Sequence, residues 1–167
     1  MQVNPFRVSG EVDAVDLIDR ESEAARLFAL ADGGHASRLV APRRYGKTSL
    51  LRQVLFEAGE AGWATALVDL EGVLSLSSLV VRIERAYDRS LKGAVRRTVD
   101  ALFRSWKVGL SLGAGGFTAS VQSNPRIDVE SVFLRLLDLP SKVYERTGAR
   151  SFVAFDEFQD LLRVDGA

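Results

Sequence analysis

The chain has 167 residues, of which 47% are hydrophobic and 26% are charged, and these proportions exclude a disordered or collagen-like protein. Its 22 Lys and Arg residues balance its 22 Asp and Glu residues, so the net charge does not favour binding to nucleic acid or to an anionic membrane. Cysteine is absent, no apolar run approaches the roughly 20 residues of a membrane span, and the start lacks the order of a signal peptide, which together predict a cytoplasmic domain without disulfides.

The predicted elements alternate between helices and strands. In the first half of the chain, apolar periodicity and turn residues predict a helix from about Asp19 to Gly33, a buried strand Ala36–Ala41, a helix that Gly59 ends, and a strand Trp63–Leu70. In the second half they predict the helices Leu76–Leu91 and Val95–Trp106 and a hairpin with its turn at Gly113–Gly116. A helix Val129–Tyr144, broken or kinked near Pro140, and a buried strand Arg150–Phe155 follow. A strand, a helix and a second strand in succession form a βαβ unit. We therefore expect an α/β fold, in which a parallel sheet is flanked by helices and carries a β-hairpin insert.

A phosphate-binding turn is indicated between the first predicted strand and the helix that follows it. The phosphate-loop pattern is Gly, about four arbitrary residues, and then Gly-Lys-Ser/Thr. Here Ala41 stands in place of the first glycine and the remaining positions fit. The segment reads Ala41-Pro42-Arg43-Arg44-Tyr45-Gly46-Lys47-Thr48-Ser49. A buried strand before it and an amphipathic helix after it are the context in which this loop binds nucleotides, whereas the plain alternative is that Gly-Lys-Thr only opens a helix.

Each residue type in this turn has a chemical reason to be there. Gly46 allows the backbone to approach a phosphate without a Cβ, and the backbone N–H groups of the loop and helix start point at the phosphate oxygens. Lys47 places a positive charge near the β- and γ-phosphates, and the Thr48 hydroxyl is a ligand for Mg²⁺. Arg43 and Arg44 either contact phosphate or a partner, or simply form a solvated loop.

Two acids follow the last predicted strand. Asp156 and Glu157 come directly after four apolar residues, and the carboxyl ends of parallel strands line the ligand crevice of an α/β sheet. We expect Asp156 to hold Mg²⁺ opposite Thr48, and Glu157 to act as the base that orients a water molecule for attack on the γ-phosphate. The alternative is that Asp156 caps a helix whose apolar face contains Phe158. Asp69 and Glu71 end the second strand at the same edge, where a turn role is favoured over a role near Mg²⁺.

At these motifs the chain resembles the archaeal-type ATPase group of P-loop NTPases, within the AAA-like and STAND-like class whose second acidic motif ends in Asp-Glu. The resemblance spans nearly the whole chain. It rests on Asn4-Pro5-Phe6, Leu17-Ile18-Asp19-Arg20-Glu21, Pro42-Arg43-Arg44-Tyr45-Gly46-Lys47-Thr48-Ser49-Leu50 and Asp156-Glu157-Phe158-Gln159. It implies ATP rather than GTP as the nucleotide, with Ile18 and its neighbours near the adenine. Ala41 departs from the usual glycine of the family.

The resemblance also implies a strand order of 5-1-4-3-2, with the phosphate-loop strand as strand 1 and the Asp-Glu strand as strand 3. The chain reaches Ala167 soon after Glu157, before any strand 4 or strand 5. We therefore expect residues 1–167 to be one P-loop NTPase domain truncated after the second motif. The corresponding prediction is a slot in the sheet between Ala36–Ala41 and Arg150–Phe155, whose exposed strand edges would favour aggregation and weak nucleotide binding.

Three functions remain open at this stage. The first is Mg²⁺-dependent hydrolysis of ATP, with Lys47 and Glu157 as the catalytic residues and Thr48 and Asp156 as the metal ligands. The second is a nucleotide-dependent switch with little turnover, read by a protein partner, by another copy of the chain or by a C-terminal effector domain. The third is a protein-interaction domain with a vestigial loop, against which the intact motif residues argue.

Overall fold

The computed structural model describes residues 20–42, 45–105, 111–113, 116–118 and 128–164. The chain divides into two compact units, Met1–Ala61 and Gly62–Ala167. In chain order, the elements are α1 (Glu21–Asp32), α2 (Lys47–Glu60), β1 (Ala64–Asp69), α3 (Leu76–Ser90), α4 (Gly93–Ser105), β2 (Ser111–Gly113), β3 (Gly116–Thr118), α5 (Val129–Thr147), β4 (Ser151–Asp156) and a short 3-10 helix (Phe158–Arg163). None of the helices in the described ranges is long and apolar enough to cross a membrane.

The first unit consists of the helices α1 and α2, which pack against each other. The contact buries one residue of α1, Ala24, and Leu50, Val54 and Ala58 of α2. Helix α1 begins at Glu21, close to the predicted start near Asp19, and its N-cap residue Arg20 makes no side-chain hydrogen bond to the helix. The acids Glu21 and Glu23 in the first turn instead complement the positive end of the helix dipole.

The predicted strand at 36–41 is not formed. Residues 35–42 have no regular secondary structure, and most of them are exposed, including Val40 at 74%, whereas Leu39 and Ala41 are half-buried. The physical reason is pairing: a strand needs a hydrogen-bonded neighbour, and in the described part of the chain β1 and β4 pair only with each other. With only Leu39 and Val40 as large apolar side chains, the segment also has little surface to bury in compensation.

The second unit is built on a parallel pair of strands, β1 and β4. Their register aligns Ala64 with Ser151 at one end and Asp69 with Asp156 at the other, so the two strands end together. Helix α3 packs against β1, and helix α5 packs against β4 and α3. The coarse prediction is therefore confirmed: the fold is α/β, with a parallel sheet against which helices pack.

The core of this unit lies where the sheet meets the three long helices. Its largest fully buried side chains come from the end of β1 and from helices α3 and α5, namely Val68, Leu70, Ile83, Leu136 and Leu139. Helix α3 starts at Leu76 because Ser75 and Ser78 form a capping box, in which the Ser75 hydroxyl accepts the Ser78 N–H at 3.2 Å.

The break predicted near Pro140 is not found in helix α5. The helix runs from Val129 through Pro140 to Thr147, and it ends at Gly148, whose left-handed φ of 71° terminates it. A proline in a helix removes one backbone donor and costs about 3 kcal/mol. Burial of four side chains along the same helix stabilises it by more than that; they are Val132, Leu136, Leu139 and Val143.

The predicted hairpin is confirmed over a short stretch, where β2 and β3 pair antiparallel with Ser111 opposite Thr118 and Gly113 opposite Gly116. The outer glycines of the predicted turn are thus part of the paired strands. The remainder of the predicted hairpin, and the end of the helix predicted to reach Trp106, lie outside the described residues.

Candidate functional site

The side chain of Lys47 is hydrogen-bonded to the turn that precedes α2. The Lys47 Nζ donates hydrogen bonds to two backbone carbonyls of the preceding segment, those of Ala41 at 3.2 Å and Pro42 at 3.1 Å. The Pro42 carbonyl also accepts the Tyr45 N–H at 3.3 Å, and this hydrogen bond closes a turn. The ammonium group is therefore held over the loop at the N-terminus of the helix.

Gly46 is the residue that makes this geometry accessible. It is the N-cap of α2 and has a φ of 70°, in the left-handed region that a residue with a Cβ occupies only at a cost. Helix α2 begins at the next residue, Lys47, and the first N–H groups of a helix have no acceptor within the helix. No acid occupies the first turn of α2. The positive helix end and the Lys47 ammonium together form a chemical environment suited to an anion.

Arg20 fastens the loop to the start of α1. Its guanidinium lies 4.5 Å from the centroid of the Tyr45 ring, and its Nη2 donates to the Tyr45 carbonyl at 3.3 Å. Arg20 belongs to the sequence segment Leu17–Glu21, and it contacts the loop directly. Ile18, Arg43 and Arg44 lie outside the described residues.

The other predicted loop residues occupy defined positions. Ser49, in the first turn of α2, is buried, whereas Tyr45 is exposed on the loop. Thr48 lies between Lys47 and Ser49 in that turn and is half-buried. The structure brings Pro42, Tyr45, Gly46 and Lys47 together as one turn before α2, without the buried strand that was expected to precede it.

The two acids stand at the carboxyl end of β4, in the second unit. The Asp156 side chain is buried at 8% exposure, and its Oδ1 accepts the backbone N–H of Glu157 at 2.9 Å. Glu157 has a φ of 51°, and it is the one non-glycine residue with a positive φ in the described ranges. Its carboxylate accepts a hydrogen bond from the Gln159 side-chain amide.

The backbone of Glu157 is held in this unfavourable conformation by its neighbours. The Phe155 and Phe158 rings, on either side of the two acids in sequence, meet edge to face with 6.4 Å between their centroids. The Asp160 N–H donates to the Glu157 carbonyl at 2.9 Å and begins the short 3-10 helix. Non-glycine residues in left-handed conformations cluster at functional sites, so the backbone at Glu157 marks it as a candidate functional residue.

The capping alternative for Asp156 does not describe this end of the strand. The residue that caps the following helix is Glu157, the helix is a 3-10 helix, and two of its three large apolar residues are exposed, Phe158 at 60% and Leu162 at 87%. An apolar face that packs on the core is thus not what places the two acids.

Two further acids support the same strand ends. Asp69, aligned with Asp156, accepts the Glu71 N–H at 2.9 Å, which confirms the turn role expected of it. No sequence pattern singles out Asp160. It is buried and accepts the Gly72 N–H at 2.8 Å, tying the turn after β1 to the helix after β4. Its spacing of four residues from Asp156 does not identify it from the sequence, because i, i+4 spacing predicts only that two residues share one face of a helix.

In the described ranges, no three His, Asp or Glu side chains gather into a cluster that would hold a metal ion. No family model, no curated protein and no solved structure matches this chain.

Proposed function

We propose that this chain binds ATP together with Mg²⁺ and hydrolyses its γ-phosphate, as a P-loop NTPase. The observation that carries the proposal is the turn before α2, in which Lys47 Nζ is held over the Ala41 and Pro42 carbonyls next to the left-handed Gly46. On binding, a phosphate group offers the ammonium stronger, charged acceptors than these neutral carbonyls. Lys47 and the amides at the start of α2 then neutralise the charge that develops on the phosphates.

The donor chemistry supports Mg²⁺ as the cation. Mg²⁺ takes oxygen ligands, keeps several water molecules, and is held by only one or two carboxylates together with substrate phosphates. The Thr48 hydroxyl and the Asp156 carboxylate are oxygen donors of this kind. When bound, Mg²⁺ supplies charge neutralisation at the β- and γ-phosphates.

Glu157 is proposed as the residue that orients and deprotonates the attacking water. Its left-handed backbone departs from the direction of β4, so its side chain does not continue the alternation of the strand. A carboxylate at a strand end next to a buried Asp fits this role.

The first test is nucleotide binding, measured by titrating the protein with a fluorescent ATP analogue in the presence of Mg²⁺. We expect Lys47→Ala to weaken binding roughly 10- to 100-fold, because a hydrogen bond to a charged group contributes about 1.5–3 kcal/mol. Lys92→Ala removes an exposed lysine after α3 and serves as the matched control, with unchanged affinity. Equal affinities for wild type and Lys47→Ala would refute the phosphate-loop assignment.

The second test separates binding from turnover by measuring phosphate release. Loss of a general base lowers a rate by about 10²–10⁴-fold, so we expect Glu157→Gln to abolish measurable hydrolysis while ATP affinity stays within about twofold. Glu60→Gln, at the exposed end of α2, is the control. If Glu157→Gln hydrolyses ATP at the wild-type rate, another residue activates the water.

A nucleotide-dependent switch is the second candidate, and the hydrogen bond from Gln159 to Glu157 favours it. A carboxylate oxygen that accepts from a side-chain amide is less available to a water molecule, which suits slow turnover. Under this alternative, wild-type protein binds ATP without releasing phosphate, and Gln159→Ala raises the rate. If Gln159→Ala instead lowers a measurable wild-type rate, the amide positions the base and hydrolysis is the function.

A further inference from the structure

A cleft between helices α3 and α4 contains a buried acid, one of whose carboxylate oxygens has no hydrogen-bond partner in the described part of the chain. Glu84, on α3, is only 5% exposed, and its Oε1 accepts no hydrogen bond. The cleft beside it has a cavity of about 20 Å³, room for about one water-sized group. The lining residues are Val81, Glu84, Arg85, Tyr87, Asp88, Leu91, Arg96, Val99, Asp100 and Phe103.

One of the two arginines that line the cleft, Arg96, is shared by two aspartates. Arg96, on α4, donates to the Asp88 carboxylate and to the Asp88 carbonyl, and its Nε lies 3.8 Å from Asp100 Oδ2. The remaining cation, Arg85, is exposed and adjacent to Glu84 in sequence, and consecutive residues of a helix do not face each other. Within the described residues, neither arginine of the cleft forms an ion pair with the Glu84 carboxylate.

The walls near this acid are apolar. Val81, Leu91, Val99 and Phe103 line the cleft together with the buried Tyr87 ring. Burial raises the pKa of Glu84 to about 7, and a positive charge bound beside this carboxyl would favour its ionised form. A buried acid in a cleft lined in part by apolar side chains is chemically complementary to an ammonium group on an apolar stem.

We propose that this cleft is a binding site for an alkylammonium group, whose cation pairs with Glu84 while its stem lies between α3 and α4. An ammonium group has about the size of a water molecule and fits the enclosed space. The same chemistry is offered by a small primary amine and by the lysine side chain of a partner protein. The site involves neither Lys47 nor Glu157 and does not depend on nucleotide binding.

The test is an NMR titration of the full chain with n-butylammonium chloride at pH 8. We expect saturable shifts of amide signals in α3 and α4, and affinity at least about tenfold weaker for n-butanol, which has the same stem without the charge. Glu84→Gln should weaken binding of the ammonium by a similar factor, whereas Glu60→Gln should not change it. Shifts that do not saturate, or equal affinities for the ammonium and the alcohol, overturn the proposal.

A second measurement uses only the wild-type protein, in case Glu84→Gln fails to fold. Butylammonium keeps its charge between pH 5.5 and pH 8, whereas protonation of Glu84 removes the group with which it pairs. The affinity should therefore be at least about tenfold weaker at pH 5.5. A pH-independent affinity overturns the proposal.

A third arm identifies the source of the amine by titrating Nα-acetyl-lysine methylamide. Binding at least as tight as that of butylammonium assigns the site to a partner's lysine. Weaker binding, caused by the main-chain groups at the mouth of the cleft, assigns it to a free amine, and both results support the site.

Discussion

At the scale of single residues, Glu157 combines an unfavourable backbone with a proposed chemical role. A left-handed conformation costs a residue with a Cβ about 1–2 kcal/mol relative to glycine. The hydrogen-bond partner of its carboxylate, Gln159, is an exposed side chain, so this pair adds little to the stability of the fold. The unfavourable backbone of Glu157 is one of the observations that support the role proposed for it.

This reasoning predicts opposite effects of Glu157→Gly on stability and on turnover. The substitution relieves the backbone but adds flexibility to the unfolded chain, so the free energy of unfolding should stay equal or rise by up to about 1 kcal/mol. Phosphate release should be lost. As a contrast, Arg135→Gly on the exposed face of α5 should lower the free energy of unfolding by about 1 kcal/mol. Urea denaturation measures both, and a strongly destabilised Glu157→Gly would show that the side chain supports the fold.

Glu84 predicts a dependence of stability on pH. Its pKa rises from 4.5 to about 7 in the folded state, so the folded chain binds the proton more tightly than the unfolded chain does. The resulting stabilisation is fully present below pH 4.5 and is lost as the pH rises through 7, amounting to about 3 kcal/mol.

The variant Glu84→Gln isolates this effect, because the amide stays neutral at every pH. Above pH 7.5 the variant should be more stable than the wild type, and the difference should vanish or reverse at pH 5. Glu60→Gln should follow the wild type throughout. Urea denaturation at the two pH values decides the matter, and a variant less stable than the wild type at both would mean that the Glu84 carboxyl stabilises the fold in its charged form.

At the scale of elements, the patterns that predicted β1, β4 and the helices α2 and α3 worked because each segment carries its own periodicity and its own end signals. Gly46 and the Ser75–Ser78 capping box mark helix starts that are local in sequence. The strand expected at 36–41 failed because strand formation depends on a neighbour. Leu39 and Val40 give the same signal whether or not such a neighbour is present.

The same distinction, between local signals and contacts of distant segments, applies to the residues of the candidate site. The turn from Pro42 to Lys47 and the placement of the two acids after β4 follow from short motifs, and both were predicted. The left-handed backbone of Glu157 and the hydrogen bond from Gly72 to Asp160 depend on packing between segments that are far apart in the chain. No local pattern encodes them.

Helix α5 supplies a prediction about stability. Pro140 lies inside the helix without interrupting it, so the packing of α5 offsets a missing backbone donor. Pro140→Ala restores that donor and introduces a better helix former, so it should raise the free energy of unfolding by about 1–2 kcal/mol. This is less than the full cost of a proline in a helix interior, because the structure has already adapted to the ring. Ser141→Ala, at the exposed neighbouring position, is the control, with a change of at most about 0.5 kcal/mol in the same urea denaturation experiment. An unchanged or lowered stability of Pro140→Ala would mean that the ring itself contributes to the packing of α5.

At the scale of the whole molecule, buried apolar surface is distributed unevenly between the two units. Every member of the main buried cluster, from Ala64 to Val164, belongs to the second unit. The first unit has two helices whose buried side chains are Ala24 on α1 and a short row on α2. Because helical stability in proteins comes mainly from the packing of an apolar face, the second unit has the larger source of stability.

Native-state hydrogen exchange should therefore resolve the two units. Corrected for intrinsic rates, the amides of β1, β4 and α3 should be the slowest to exchange, and those of α1 and α2 should exchange at least about tenfold faster, because local opening of the first unit exposes less apolar surface. A bound ligand stabilises the segment that binds it by mass action. Under the proposed function, addition of ATP and Mg²⁺ should therefore slow the exchange of the amides at the start of α2 and leave the exchange of the α4 amides unchanged. Equal protection of α2 and β1 without nucleotide would show that the small apolar face of α2 suffices to hold it, and that stability in this chain does not follow the distribution of its buried surface.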